Sequence, residues 1–373
     1  MASDIDLALL PPPAQKALSP DAPAPLRTMA ARGVLPGLKP HDIVIVVATL
    51  AAHADAAVAE AARGTLAKLP PPVLAGALAQ DLPGSVIERL VEAQPQNPEL
   101  VSGVLKMARI TEPALVHLAE RADERVGELI ATNEELMLGH PAVIEKLYMN
   151  KAVRMSTADR LIELAVRNNI ELGIPAFKEA SIAIKNELVP EPSEEPTFDD
   201  HEFVKTDHLA EEAEVAEQED THELDEEGAE QVRSKFLPLY AQIAQLTVTQ
   251  KIRRAMVGTA AERLLLVRDS NRLVAAAAAK SPNMRENEAA QISASRAVSE
   301  EVLRIIAMNR EFVRSYQVKL NLITNPRTPF TFASRLVPHL RSNDLRSLSR
   351  SKNISGAIAQ AIKQQLSRKQ DPT

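Results

Sequence analysis

Arginine and lysine are the side chains of this sequence best placed to do chemistry, and the chemistry they suit is the holding of anions. From Gln231 to Thr373 there are 24 Lys and Arg against 9 Asp and Glu. The candidate partner- or anion-binding residues are Arg253, Arg254, Arg263, Arg268, Arg272, Arg314, Lys319, Arg341, Arg346, Arg350 and Lys352. Stacked in register, they would form a basic stripe able to hold an acidic protein, a nucleic-acid backbone or a small anionic ligand such as a nucleotide second messenger. The plainer alternative is a charged, solvated face with no ligand. Arg346 and Arg350 are four positions apart and share one face of a helix. Sparse aromatics for base stacking weigh against nucleic acid.

Other constellations are weak. The eight histidines, at 41, 53, 117, 140, 201, 208, 222 and 339, form no HExxH or comparable metal spacing. His201, His208 and His222 lie among carboxylates, where weak metal binding competes with the simpler reading of a solvated acidic segment. His140 and His339 adjoin helix boundaries, which suits local capping or exposure. Cysteine is absent, which excludes disulfides, a thiol nucleophile and a Cys-based zinc site. LPGS (82–85) and MVGTAAE (256–262) hold too few glycines to wrap a phosphate as nucleotide loops do. The expectation is a protein that is not an enzyme and has no cofactor and no metal.

Charge divides the elements that must position these residues. Residues 189–230 carry 18 Asp and Glu against the single Lys205, so the formal net charge of -7 conceals three blocks of about -5, -17 and +15. Such like-charge blocks stay extended or disordered, and the acidic block reads as a linker, with at most a weak helix near 207–220. It could fold back to screen the basic face. Residues 1–39, rich in Pro and Ala, read as a disordered arm. The remaining expectations are an N-terminal helical-repeat domain over 40–188, a basic C-terminal one over 231–368, and a tail over 369–373.

Within both domains the pattern is helical. In HDIVIVVATLAAHADAAVAEAARGTLAKL, apolar residues at three- and four-residue spacings favour two helices, about 41–53 and 55–68, over a strand. A series of short phrases follows, each a proline and about ten helical residues, and proline suits a first helical turn. Ser156 and Thr157 are plausible N-caps for a helix whose Asp159, Arg160 and Glu163 should face water, and IPAFKEASIAIKNEL (174–188) closes the first domain. Later, 236–258 reads as one or two helices, and Thr259 is a further cap candidate. RLIELAVRN (160–168) and EVLRIIAMN (301–309) match in their apolar positions, and the turns at Asn325-Pro326 and Lys352-Asn353 lie about 28 residues apart, a solenoid period. A helical pair cannot bury its apolar face alone, whereas stacked pairs share a core.

KSPN, ITNPRTP and SRSKN each end an apolar helix and precede another. In this they resemble the loose consensus of the leucine-rich-repeat-variant and HEAT-like families, and the C-terminal block is similar to helical-repeat proteins of myxobacteria. The resemblance covers about 85–170 and 260–366. It implies an all-α fold of irregular HEAT-like, α-solenoid repeats in two arrays, acting as a scaffold or binding surface, and it brings no catalytic residues. No run approaches 18 apolar residues, and MASDIDLALLPPPAQKALSP has no basic segment leading into an apolar one. The expectation is a cytoplasmic protein, not inserted in a membrane, that binds a protein partner.

Overall fold

The computed structural model describes residues 4–213, 215–216, 219–351 and 354–370, with side chains as far as 367. Lys352, a candidate binding residue, lies outside the described residues. Two compact units, 1–172 and 173–373, divide the chain. Among the described residues there are 24 α-helices and one two-stranded hairpin, an all-α helical-repeat architecture. None of these helices is long and apolar enough to cross a membrane.

The first unit runs α1 (Pro12–Leu18), α2 (Ala24–Ala31), α3 (Pro40–Leu50), α4 (Ala56–Ala67), α5 (Pro71–Leu78), α6 (Gly84–Ala93), α7 (Pro98–Val104), α8 (Glu112–Arg121), α9 (Glu124–Ala131), α10 (Glu134–Gly139), α11 (Pro141–Met149) and α12 (Met155–Arg167). Their starts are encoded locally. Proline stands in the first turn of α1, α2, α3, α5, α7, α8 and α11, where its missing N–H deprives no helical carbonyl of a partner. Asp55, Asn97, Thr111, Asp123 and Asn133 accept first-turn amides as caps of α4 and α7–α10.

The same rule revises the arm expected over 1–39. Its prolines open α1 and α2 instead of interrupting them. Ala14, Ala17, Ala30 and Ala31 are fully buried, with α1 on α3 and α2 on both α3 and α4. Ser156 and Thr157 do not cap α12. They sit buried in its first turn, with Arg154 at the cap position. Nor does Arg160 simply face water, for it pairs with Glu128 of α9 at 2.8 Å.

Alternate helices pack on one another: α6 on α8 and α8 on α11 in one layer, α5 on α7 and α7 on α9 in the other. Amide side chains tie successive repeats together. Gln94 donates to the carbonyl of Leu66, and Asn150 donates to those of Ala119 and Ala122 at 3.0 and 2.9 Å. In the second unit, Asn283 reaches the Met256 carbonyl at 3.1 Å and Asn325 reaches those of Ser293 and Ser295 at 2.9 and 2.7 Å. The partners lie 27 to 32 residues apart. Each amide satisfies carbonyls at a helix end that have no partner within their own helix. α12 stops where Asn169 takes a positive φ of 56°. Its amide and that of Ile170 bond back to the carbonyls of Val166 and Ala165, the closure that favours a left-handed residue just past a helix.

The second unit runs α13 (Phe177–Ile184), α14 (Phe198–Glu212), β1 (His222–Leu224), β2 (Glu230–Val232), α15 (Leu237–Gln245), α16 (Val248–Val257), α17 (Ala260–Leu266), α18 (Arg272–Ala279), α19 (Glu286–Ala294), α20 (Glu300–Met308), α21 (Tyr316–Thr324), α22 (Phe330–Leu336), α23 (Ser342–Arg350) and α24 (Gly356–Gln370). One layer is α16, α18 and α20, and the other is α17, α19 and α21. α21 to α24 enclose a terminal core around Ile323, Val337, Leu345, Ile358 and Ile362. α13 belongs to this unit and not to the first, because its buried Ala180, Ala183 and Ile184 accompany packing on α16 and α18.

The acidic stretch is the largest departure from the sequence reading. It holds a 15-residue helix, α14, and a hairpin, β1–β2. Thr197 and Asp200 form a capping box at the start of α14. Phe203, Thr206, Ala210 and Ala213 then recur at three- and four-residue steps and are buried. This narrow stripe is hidden among carboxylates in the sequence but suffices to seat the helix beside α15. At the hairpin tip, Gly228 has φ +80° and Asp225 accepts the amides of Glu227 and Ala229, the local bonding expected of an Asp–Gly turn.

Candidate functional site

Four of the candidate arginines are interior. Arg253, Arg254 and Arg263 are buried, and Arg268 has a side chain only 6% exposed. None of them belongs to an exposed basic stripe, because each finds a partner on a neighbouring element. Arg253 and Arg254 of α16 stack on the Phe203 ring, with guanidinium carbons 4.9 and 4.8 Å from its centroid. Arg254 is also gripped by Asp207 of α14 and Glu262 of α17. Arg263 forms a two-pronged pair with Glu288 at 2.8 and 2.9 Å and donates to the Gly258 carbonyl at 2.8 Å.

Arg268 holds the hairpin. Its Nη2 meets Asp220 at 2.8 Å and its Nε meets Glu230 at 3.0 Å. Glu230 then takes the Ser295 hydroxyl at 2.7 Å and the backbone amides of Arg296 and Ala297 at 2.9 and 3.3 Å. The turn that supplies these amides is itself fixed from the other side. Asn325 holds the carbonyls of Ser293 and Ser295, and Arg327 holds those of Ala297 and Val298, both at 3.1 Å. With its carbonyls engaged there, the turn presents two N–H groups and a hydroxyl beside a guanidinium. This is a carboxylate receptor, and the chain's own Glu230 fills it.

A cleft of about 220 Å³ lies alongside, lined in part by Arg296, Asn321, Thr324, Asn325 and Ser351. Ser351 follows α23, which carries Arg346 and Arg350, both exposed. Arg272 is also exposed, and Lys319 is half-buried. Arg314 pairs with Glu311 at 2.8 Å. Arg341 stacks on Tyr316 with its guanidinium 4.6 Å from the ring centroid, and the Tyr316 hydroxyl donates to Asp344. Beyond the four interior arginines, the sequence is most basic toward its end, where residues 310–370 contain 12 Lys and Arg against Glu311 and Asp344.

Sequence reasoning missed Glu230, Ser295 and Arg296. Asn325 and Arg327 belong to the ITNPRTP phrase, whose sequence signal is only that of a repeat turn. Among the described residues there is no grouping of three His, Asp or Glu side chains able to hold a metal ion. Comparison of the chain with family models, with curated proteins and with solved structures finds no match.

The hairpin's docking should depend on pH. Burial, and then the Arg268 charge, push the pKa of His222 down to about 4, against the opposing Asp220 and Glu230. In a released hairpin the ring titrates near its ordinary 6.5. The released state therefore binds the proton first, and docking weakens as pH falls from about 6.5 toward 4. For Glu230, burial raises the pKa, but the Ser295 hydrogen bond and Arg268 outweigh it and hold the carboxyl below the usual 4.5. Its contribution is present above that value and is lost as pH drops through the lower, docked one, so both groups act in the same direction. Hydrogen exchange at residues 222–232, corrected for intrinsic rates, should accelerate across this window while α18 stays protected. Constant hairpin protection would contradict the assignment.

Proposed function

We propose that this chain is a non-catalytic interaction protein of the HEAT-like helical-repeat kind, working in the cytoplasm, whose second unit binds an acidic segment of a protein partner. The observation that carries this reading is the grip on Glu230, in which a guanidinium, a hydroxyl and two backbone amides converge on one carboxylate. Carboxylates suit such forks well. The cleft beside it leads toward Ser351 and the neighbouring Arg350 on α23, which extends the contact to a second acidic residue. The burial of Arg253, Arg254, Arg263 and Arg268 removes cations that a phosphate-tracking groove would need, so the nucleic-acid alternative rests on Arg272 and the terminal helices.

The test is affinity purification of the full chain from native extract, alongside the Arg346→Glu/Arg350→Glu variant. The expected result is a protein with an acidic segment, retained after nuclease treatment and reduced at least tenfold in the variant. Recovery of nucleic acid, with a steep salt dependence of binding, would favour the alternative. A partner indifferent to the double substitution would remove the basic terminal helices from the interface.

A further inference from the structure

The hairpin that fills the receptor is attached to the second unit in an unusual way. Among residues 219–233, only Thr221 is buried, and Leu224 is 69% exposed. Val232 is the one other large aliphatic side chain there, and it is half-buried. What holds the hairpin is polar: Asp220 and Glu230 on Arg268, Glu230 on the 295–297 turn, the Glu219 carbonyl on Gln291, and the Glu219 carboxylate on Lys235. Gln291 gives its amide nitrogen to that contact, while its buried carbonyl oxygen Oε1 is left without a partner. An element that buries so little apolar surface has only a small hydrophobic contribution to its docking, and local opening is drawn from such weakly adhering elements.

Below the hairpin, by contrast, the receptor is built independently of it. Arg268, just past the end of α17, is held by that helix through the Leu264 carbonyl at 2.8 Å. The donor turn is held by Asn325 and Arg327. Removal of the hairpin would leave a preformed site with its donors in place, and a preformed site avoids the entropic cost of being assembled by its ligand.

We infer that the Arg268–Ser295–Arg296–Ala297 receptor is a binding site for an acidic peptide segment bearing two carboxylates, and that the hairpin 219–233 is its built-in competitor. The two anchoring residues define the ligand. One carboxylate takes Arg268 Nη2 as Asp220 does, and the other bridges Arg268 Nε and the donor turn as Glu230 does. The partner's segment displaces the hairpin, which is tethered at both ends by α14 and α15 and so competes at high effective concentration. This inference rests on the interaction reading above and adds to it the site, the ligand chemistry and the regulation.

The probe is a fluorescein-labelled synthetic peptide of residues 219–233, added to the full chain carrying Asp220→Ala and Glu230→Ala. Binding by anisotropy should be at least tenfold tighter to this variant than to the unsubstituted chain, where the tethered hairpin competes. Adding Ser295→Ala to the variant should weaken binding about fivefold, and Arg268→Met should abolish it. Unchanged circular dichroism must accompany both losses. Hydrogen exchange should show residues 222–232 released in the double variant.

Three results would overturn the inference: a released hairpin with no peptide bound, a hairpin that stays protected without its two carboxylates, or binding indifferent to Ser295→Ala. Inorganic phosphate should compete no better than sodium chloride of equal ionic strength. Stronger competition would make the receptor a general anion site and not one for acidic peptides. The purification with Arg346→Glu/Arg350→Glu reads the far end of the cleft and leaves the receptor's own donors intact, so failure there would leave these measurements standing, and the converse also holds.

Discussion

Replacing Glu262 by alanine should lower the stability of the second unit by about 3–5 kcal/mol, the range for a buried pair broken from one side. Glu262 and Arg254 both have side chains 0% exposed. Arg254 would keep Asp207 as its ionic partner, and its Nη1 already has no hydrogen-bond partner. The substitution also removes the second half of the Thr259 capping box, where the carboxylate accepts the Thr259 amide, a further loss of about 1 kcal/mol. Urea unfolding followed by circular dichroism should show the corresponding transition at least 1 M earlier, given slopes of roughly 1–3 kcal/mol per molar. The apolar double variant Arg254→Met/Glu262→Leu should recover much of the loss, because it removes both fully buried charges together, while Asp207, which also loses Arg254, has a side chain 26% exposed to water. A Glu262→Ala variant within about 0.5 kcal/mol of the unsubstituted protein would show that this cluster does not hold the unit together.

Gly258→Ala should have the second largest effect, about 1–3 kcal/mol or more. Its backbone is extended, with φ -75° and ψ -175°, so conformational freedom is not the reason for glycine. Space is. A Cβ at this position would run into the Arg254 carbonyl oxygen and the Glu262 carboxylate. Neither can retreat: the first is backbone, and the second is fixed by Arg254 and the Thr259 amide. Gly64 in α4 is the control. Nothing lies within 4 Å of its added Cβ, and alanine there should stabilise by about 0.5–1 kcal/mol through helix propensity. Thermal denaturation of the two variants should therefore move in opposite directions. Equal shifts would mean that the crowding around Gly258 relaxes freely.

Local chemistry makes much of the helical fold legible in the sequence itself. The expected helices 41–53 and 55–68 correspond to α3 and α4, and Thr259 caps α17 as anticipated. These features depend on residues within one turn of each other. What stayed hidden depends on partners far along the chain. Arg254 is indistinguishable in sequence from an exposed arginine until Asp207, 47 residues earlier, is brought beside it. Likewise, the acidic block reads as disordered on charge alone. Its order comes from Phe203 packed against two arginines and from carboxylates neutralised by Arg254 and Arg268. Four arginines proposed for an external ligand are therefore engaged by the chain itself, and the receptor emerged from a glutamate that no motif marked.

The amide ties between repeats bear on how the chain matures as it is made. Each joins a side chain to carbonyls 27 to 32 residues before it. At about 5–20 residues per second of synthesis, a gap of that size is spanned within roughly 1.5–6 seconds. Asn150 can close on Ala119 and Ala122 once its own helix has emerged, with no need for the residues that follow. Glu230 is different, because its hydroxyl and amide donors at Ser295, Arg296 and Ala297 lie 65 to 67 positions downstream. On a ribosome the hairpin is therefore made well before its seat, so a nascent chain passes through a stage in which its acidic arm is free and the receptor does not yet exist.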